Sequence, residues 1–230
     1  MEGLFISKIA IFAGLILSVV AHEVSHGAAA DAQGDPTPRA YGRLSLNPFR
    51  HLDPLGTLAM ILIVFAGVPI FGWAKPVPID PRYFRDYRKG VILVALAGPF
   101  ANLSLLILSL FFVYLLFKSG VAPSGFLVGF LALLVLINYM LMLFNLLPIP
   151  PLDGSRVVSM FLPWRAMVTY NQLAGFGLLV LLFLVFFDSR LHILSTILNL
   201  ALTALFYSVK VLFGSEFAQY VVNCLSLFLG

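Results

Sequence analysis

Long apolar runs, separated by short polar and proline-rich stretches, set the pattern of this 230-residue chain. Runs over 4–26, 91–117, 126–147 and 191–213 each reach the roughly 20 residues a helix needs to cross a hydrocarbon core. The run over 171–187 is somewhat shorter. Residues 55–72 are apolar too, but Gly67, Pro69 and Gly72 interrupt them, and their length suits either a marginal span or a re-entrant segment. Between these runs, residues 31–55 carry the helix breakers Asp31, Gly34, Asp35, Pro36, Pro38, Gly42, Pro48 and Pro54. Within them, Tyr41 to Leu46 reads as a short strand. Residues 148–170 form a loop with Pro148, Pro150, Pro151 and Pro163. No long run alternates with period two, so helices are expected rather than a barrel. The pattern predicts an all-α polytopic membrane protein. It has five to six transmembrane helices, a re-entrant segment at 55–72 and a small membrane-associated β-hairpin. One integral domain covers 1–230: a core over about 4–157, C-terminal helices over about 171–213 and an interfacial tail at 214–230.

Composition narrows the setting. The chain is 61% hydrophobic and 10% charged, against roughly 25% charged residues in soluble domains. A formal charge of +4 fits basic loops on one side of a membrane, and no nucleic-acid partner is expected. The lone Cys224 excludes an internal disulfide and a cysteine-based metal cluster. A cleaved signal peptide is not expected, because Met1 to Lys8 has no net positive charge.

The chemistry concentrates at the end of the first apolar run, in His22-Glu23-Val24-Ser25-His26. On a helix, residues four apart share one face, so both imidazoles reach one ion. Three ionisable groups at the end of a membrane span are costly and read as functional. A catalytic zinc site takes three protein ligands and keeps its fourth position open. Glu216, His51 and His192 are weak choices for the third. The best is Asp153, in Asn145-Leu146-Leu147-Pro148-Ile149-Pro150-Pro151-Leu152-Asp153-Gly154, where prolines end a helix and Gly154 lets the chain turn.

His22-Glu23-Val24-Ser25-His26 with Leu152-Asp153-Gly154 resembles the site-2 protease family of intramembrane metalloproteases, in its short prokaryotic form without PDZ or CBS domains. Four further stretches carry the same resemblance: Gly42 to Pro48, His51 to Pro54, Gly72 to Pro78, and Ala97-Gly98-Pro99-Phe100-Ala101-Asn102. It covers about residues 18–157. The resemblance implies one zinc ion held by His22, His26 and Asp153, with Glu23 as general base and Asn145 near the substrate or the developing oxyanion. It also implies a membrane-protein substrate with a transmembrane helix.

His22, His26 and Asp153 each lie toward the C-terminal end of a helix, so they meet easily only if those helices run parallel. That requires 55–72 to turn back. Most of the lysines and arginines, from Arg39 through Lys89 with Arg156, Arg165 and Lys210, then fall on one side. The positive-inside rule makes that side, with the active site, the cytoplasmic face of the cell membrane. Asn102 is a second amide for the oxyanion, with helix–helix packing as the equal alternative. Leu44-Ser45-Leu46 is the expected edge for an extended substrate. His51 is a substrate contact, a support behind a ligand, or an ordinary loop histidine. A divalent-metal transporter and an inactive protease-like scaffold are the competing readings. The absence of a repeat argues against the first, and the intact Glu23 against the second.

Overall fold

The computed structural model describes residues 2–66, 74–173, 175–177, 179, 183 and 192–229. The helices are α1 (Glu2–Gln33), α2 (Thr37–Ala40), α3 (Pro54–Ile61, continued by a π turn over Leu62–Ala66), α4 (Tyr87–Lys118), α5 (Phe126–Asn145), α6 (Asp153–Ser159), α7 (Trp164–Gln172), α8 (Ile193–Phe213) and α9 (Ser215–Leu229).

Among the described residues four helices are long and apolar enough to cross a membrane: Phe5–Gln33, Tyr87–Lys118, Phe126–Asn145 and Ser195–Phe213. Their outward faces carry Phe100, Ile107, Phe111, Leu127 and Leu200, all exposed. Side chains of that size in contiguous rows need lipid around them. The protein is a multi-pass membrane protein.

Two sequence expectations are corrected. Among the described residues the spans number four, not five to six. The described part of 55–72 supplies only the 13-residue apolar helix Pro54–Ala66, too short to cross. Its remainder, 67–73, lies outside the described residues, as does most of 171–187. Nor is there any strand among the described residues. Around Tyr41–Leu46, side chains take the backbone positions that a second strand would have filled. Gly42 turns the chain at φ 64°. Arg50 Nη1 donates to Gly42 O at 3.0 Å, His51 Nε2 donates to Ser45 O at 2.7 Å, and the Arg43 guanidinium donates to Arg50 O. A loop whose carbonyls are taken in this way offers no ladder for a hairpin.

The helix directions follow from cross-helix contacts. His22 meets Asn102 and His26 meets Val94, so α1 and α4 are antiparallel. Gly14 packs on Leu134 and Ile137, and Ser18 bonds Asn138, so α1 and α5 are parallel. The end of α1 and the start of α4 lie together, because Arg85 N donates to Gln33 O at 3.1 Å and Asp80 N to Asp35 Oδ2 at 2.7 Å. The segment after α2 also comes back on itself: Lys75 N donates to His51 O at 2.8 Å, while Phe65 lies beside Phe5 and Phe12.

The apolar core fills the half of the bundle opposite those loops. Leu106, Leu110 and Val113 of α4 pack with Val128, Ala132 and Val135 of α5, Leu205 and Val209 of α8, and Phe217 and Val221 of α9. The Phe213 ring lies tilted against Tyr114 with centroids 5.3 Å apart, which sets Lys210 at this end and corrects its expected place beside the basic loops. The polar half of the same four-helix frame is left to the histidines.

Candidate metal centre

Helical spacing sets the first two ligands. Four residues apart on α1, His22 and His26 bring their rings edge to face, with centroids 4.5 Å apart. α4 presses on them through Gly98, whose missing side chain leaves room for both rings. The third group arrives from the chain after α5. Pro148, Pro150 and Pro151 prevent the helix from continuing, and a short turn leads into α6, with Asp153 as its first residue. Gly154 lets that turn close, since its backbone sits against the carbonyls of Leu146 and Leu147.

The three groups converge. His22 Nε2 lies 3.0 Å from His26 Nε2, and Asp153 Oδ2 lies 3.1 and 3.2 Å from the two nitrogens. Three ligand atoms bound tetrahedrally at about 2.0–2.1 Å would stand about 3.3 Å apart. All three residues are buried.

The rear of each ring decides what its front can do. His22 Nδ1 faces Asn102 Oδ1 at 2.7 Å, and His26 Nδ1 faces Val94 O at 2.6 Å. Both partners are acceptors, so both rings carry their proton on Nδ1. That leaves two Nε2 lone pairs and a carboxylate oxygen aimed at one point. Without a cation such an arrangement is repulsive; with one it is a complete ligand set whose rings are held by hydrogen bonds. The residues fit a divalent metal.

A cavity of about 330 Å³ opens on this point, lined by Glu23, Pro76, Val77, Ile79, Asn145, Pro151 and Arg156 along with the three ligands. Glu23 is half-buried there, and its Oε2 accepts from Val77 N at 3.1 Å. Asn145 also lines it, and one of its amide hydrogens is held by Leu141 O at 2.9 Å. A second cavity, of about 320 Å³, adjoins the first and shares Ile79, Pro151 and Arg156 with it.

The other sequence-predicted residues fall elsewhere. Asn102 sits behind His22, fully buried, on the side of the ring away from the cavity. His51 is fully buried among Ile16, Val19, Val20 and Met60. Leu44, Ser45 and Leu46 do not line the cavity; Leu44 packs toward Gly27. The extended chain beside the metal point is instead 74–80, held by His51 O, Glu23 and Asp35 through the backbone nitrogens of Lys75, Val77 and Asp80. Sequence reasoning missed Val77, Gly98 and the carbonyl of Val94, whose parts are played by backbone. It also passed over Asn138, for which an amide within an apolar span was the available signal.

A buried two-histidine, one-carboxylate cluster with an adjacent glutamate, set inside a membrane helix bundle, is a ligand set for one metal ion, the kind of site a membrane metalloprotease uses. Residues 116–187 match the model of peptidase family M50. Over 191 residues the chain is 40% identical to "Putative zinc metalloprotease YwhC" of Bacillus subtilis, covering 80% of this chain and 84% of that protein. It is 36% identical over 184 residues to "Putative zinc metalloprotease Rip2" of Mycobacterium tuberculosis, covering 78% and 67%. Rip3 of the same species, named in the same terms, is 28% identical over 151 residues and is matched over 30% of its length. No solved structure matches. The chain belongs to peptidase family M50, the site-2 protease family.

Proposed function

We propose that this protein hydrolyses peptide bonds in or near the transmembrane segments of membrane proteins, with zinc held by His22, His26 and Asp153 and with Glu23 as general base. The observation that carries this reading is the meeting of two Nε2 lone pairs and one carboxylate oxygen within 3.2 Å, at the wall of a cavity that Glu23 also lines. A zinc ion there supplies Lewis-acid activation of water and of the scissile carbonyl.

The chain's own groups do the rest. Val77 N–H anchors Glu23 Oε2 and leaves Oε1 to take a proton from the attacking water and pass it to the leaving amine nitrogen. The second amide hydrogen of Asn145 donates to the developing oxyanion. The substrate helix must open before its carbonyl can be reached, and the irregular chain at 74–80 and 146–152 provides polar surroundings at that depth. With the site sit Arg39, Arg43, Arg82, Arg85, Arg88 and Arg156; at the far end are Lys118 and Lys210. By the positive-inside rule the site faces the cytoplasm.

The test uses purified protein in proteoliposomes with a single-pass membrane substrate. Glu23→Gln should keep its zinc and lose cleavage by about 10²–10⁴-fold. Wild-type cleavage by that variant would rule out Glu23 as the base.

A further inference from the structure

Behind His22, polar side chains from three helices form one line of hydrogen bonds that the reaction does not touch. Asn102 Oδ1 meets His22 Nδ1, Asn102 Nδ2 donates to Asn138 Oδ1 at 2.9 Å, and Asn138 Nδ2 donates to Leu134 O at 2.9 Å and to Ser18 Oγ at 3.0 Å. Ser18, Asn102 and Asn138 have no exposed surface. They lie on α1, α4 and α5, each of membrane-crossing length. An amide left unpaired at that depth is costly, so helix packing alone would be served better by apolar residues.

The line has a direction, and backbone carbonyls set it: Leu134 O acts on Asn138, and Ser18 O adds a longer contact of 3.4 Å to Asn102 Nδ2. Leu134 O is a backbone carbonyl and can only accept. Asn138 must therefore turn its nitrogen to Leu134 and its oxygen to Asn102. Asn102 must then turn its nitrogen to Asn138 and its oxygen to His22. An oxygen facing Nδ1 requires the proton on Nδ1 and leaves Nε2 bare. His26 needs no such line, because the acceptor behind it, Val94 O, is already a backbone carbonyl.

We propose that Asn138 is a positioning residue of the metal centre: anchored on Leu134 O, it fixes through Asn102 the tautomer and ring orientation of His22. The proposal rests on His22 being a ligand, so its test reads the ring directly as well as the metal. Side-chain ¹⁵N spectra of zinc-free protein are recorded at pH 8, above the ordinary imidazole pKa of about 6.5. Zinc affinity is measured by competition with a fluorescent chelator. The wild type should show His22 protonated on Nδ1 alone. Asn138→Leu leaves only the long contact from Asn102 Nδ2 to Ser18 O, at 3.4 Å, to oppose rotation of that amide. The two His22 tautomers should then mix, and zinc affinity should fall about tenfold, the low end of what supporting residues cost. Asn138→Ser should do the same. Its hydroxyl satisfies Leu134 O within the helix but cannot reach Asn102, so it carries the test if the leucine variant does not fold. Asn138→Asp still accepts from Asn102 in either protonation state and should restore the wild-type tautomer. The proposal is overturned if the Leu and Ser variants keep the wild-type spectrum and affinity and lose only thermal stability, or if Asp fails to restore the tautomer. A wild type that binds no zinc would sink the metal reading instead, and the nitrogen spectra would still decide the relay.

Discussion

Gly98 of α4 lies so close to the two imidazoles that a β-carbon built on it would stand 2.6 Å from His22 Nε2 and nearer still to His26 Nε2. The atoms it would strike are the ligand atoms themselves. Gly98→Ala can be accommodated only if α4 backs away or the rings turn, and either spreads the triangle. The variant should fold, since the apolar core lies in the other half of the bundle. Its kcat/KM should fall by about 10²-fold, the usual cost of displacing a catalytic group by an ångström, and its zinc content should drop in step. Metal analysis of the purified variant checks this.

Gly154 does the same service for the third ligand. A side chain there would meet Leu147 O at 2.6 Å and Leu146 O more closely still, and neither backbone carbonyl can swing aside. Gly154→Ala should therefore open the turn after α5 and withdraw Asp153. Gly129→Ala is the control: the nearest atoms its β-carbon would strike belong to the Phe228 side chain, far from the ligands. The first should lose bound zinc. The second should keep a full complement of zinc while its melting temperature falls.

How much of this was legible beforehand depended on what kind of signal each residue leaves. His22, Glu23, His26 and Asp153 were readable because helical periodicity and a run of prolines are local patterns, and ionisable groups in an apolar chain stand out. The support behind them was not. Gly98, Val94 and Val77 act through backbone atoms or through a missing side chain, and the sequence does not mark which backbone faces a ligand. Asn102 was noticed, as an oxyanion amide or equally as a helix-packing residue, but not as the support of His22, because a sequence cannot say which side of an imidazole an amide approaches. The β-hairpin expectation failed for a similar reason: the alternation in Tyr41–Leu46 was real, but Arg50 and His51 reach back and take the carbonyls of Gly42 and Ser45, which a partner strand would have used, while Arg43 ties the loop to Arg50 O.

Metal removal should be felt by the fold. With the ion gone, two Nε2 lone pairs and the Asp153 carboxylate are left facing one another at 3.0–3.2 Å, so the rings and the carboxylate of the apo site must move apart. An ion that binds the folded arrangement and not the unfolded chain, at about a hundredfold its Kd, adds about 2.7 kcal/mol of stability. Chelation should lower the melting temperature by several degrees and abolish cleavage, and added zinc should restore both. A melting temperature indifferent to zinc, with cleavage lost, would mean that the ion binds a site already formed in the unfolded chain or elsewhere in the protein.

The loops before and after the 55–72 region should lie on the same face of the membrane. Gln33 O accepts from Arg85 N and Asp35 from Asp80 N, contacts that no arrangement with those loops on opposite faces could make. Cysteines placed at Arg39 and Arg82, whose side chains are 73% and 87% exposed, should react with a membrane-impermeant maleimide from the same side of sealed vesicles. A cysteine at Lys118 should react from the other side, since α4 crosses between them. The native thiol will not interfere: Cys224 is fully buried, and burial pushes its pKa up to about 11, which leaves almost no thiolate at neutral pH. Opposite labelling of positions 39 and 82 would break the parallel arrangement of α1 and α5, and with it the meeting of His22, His26 and Asp153.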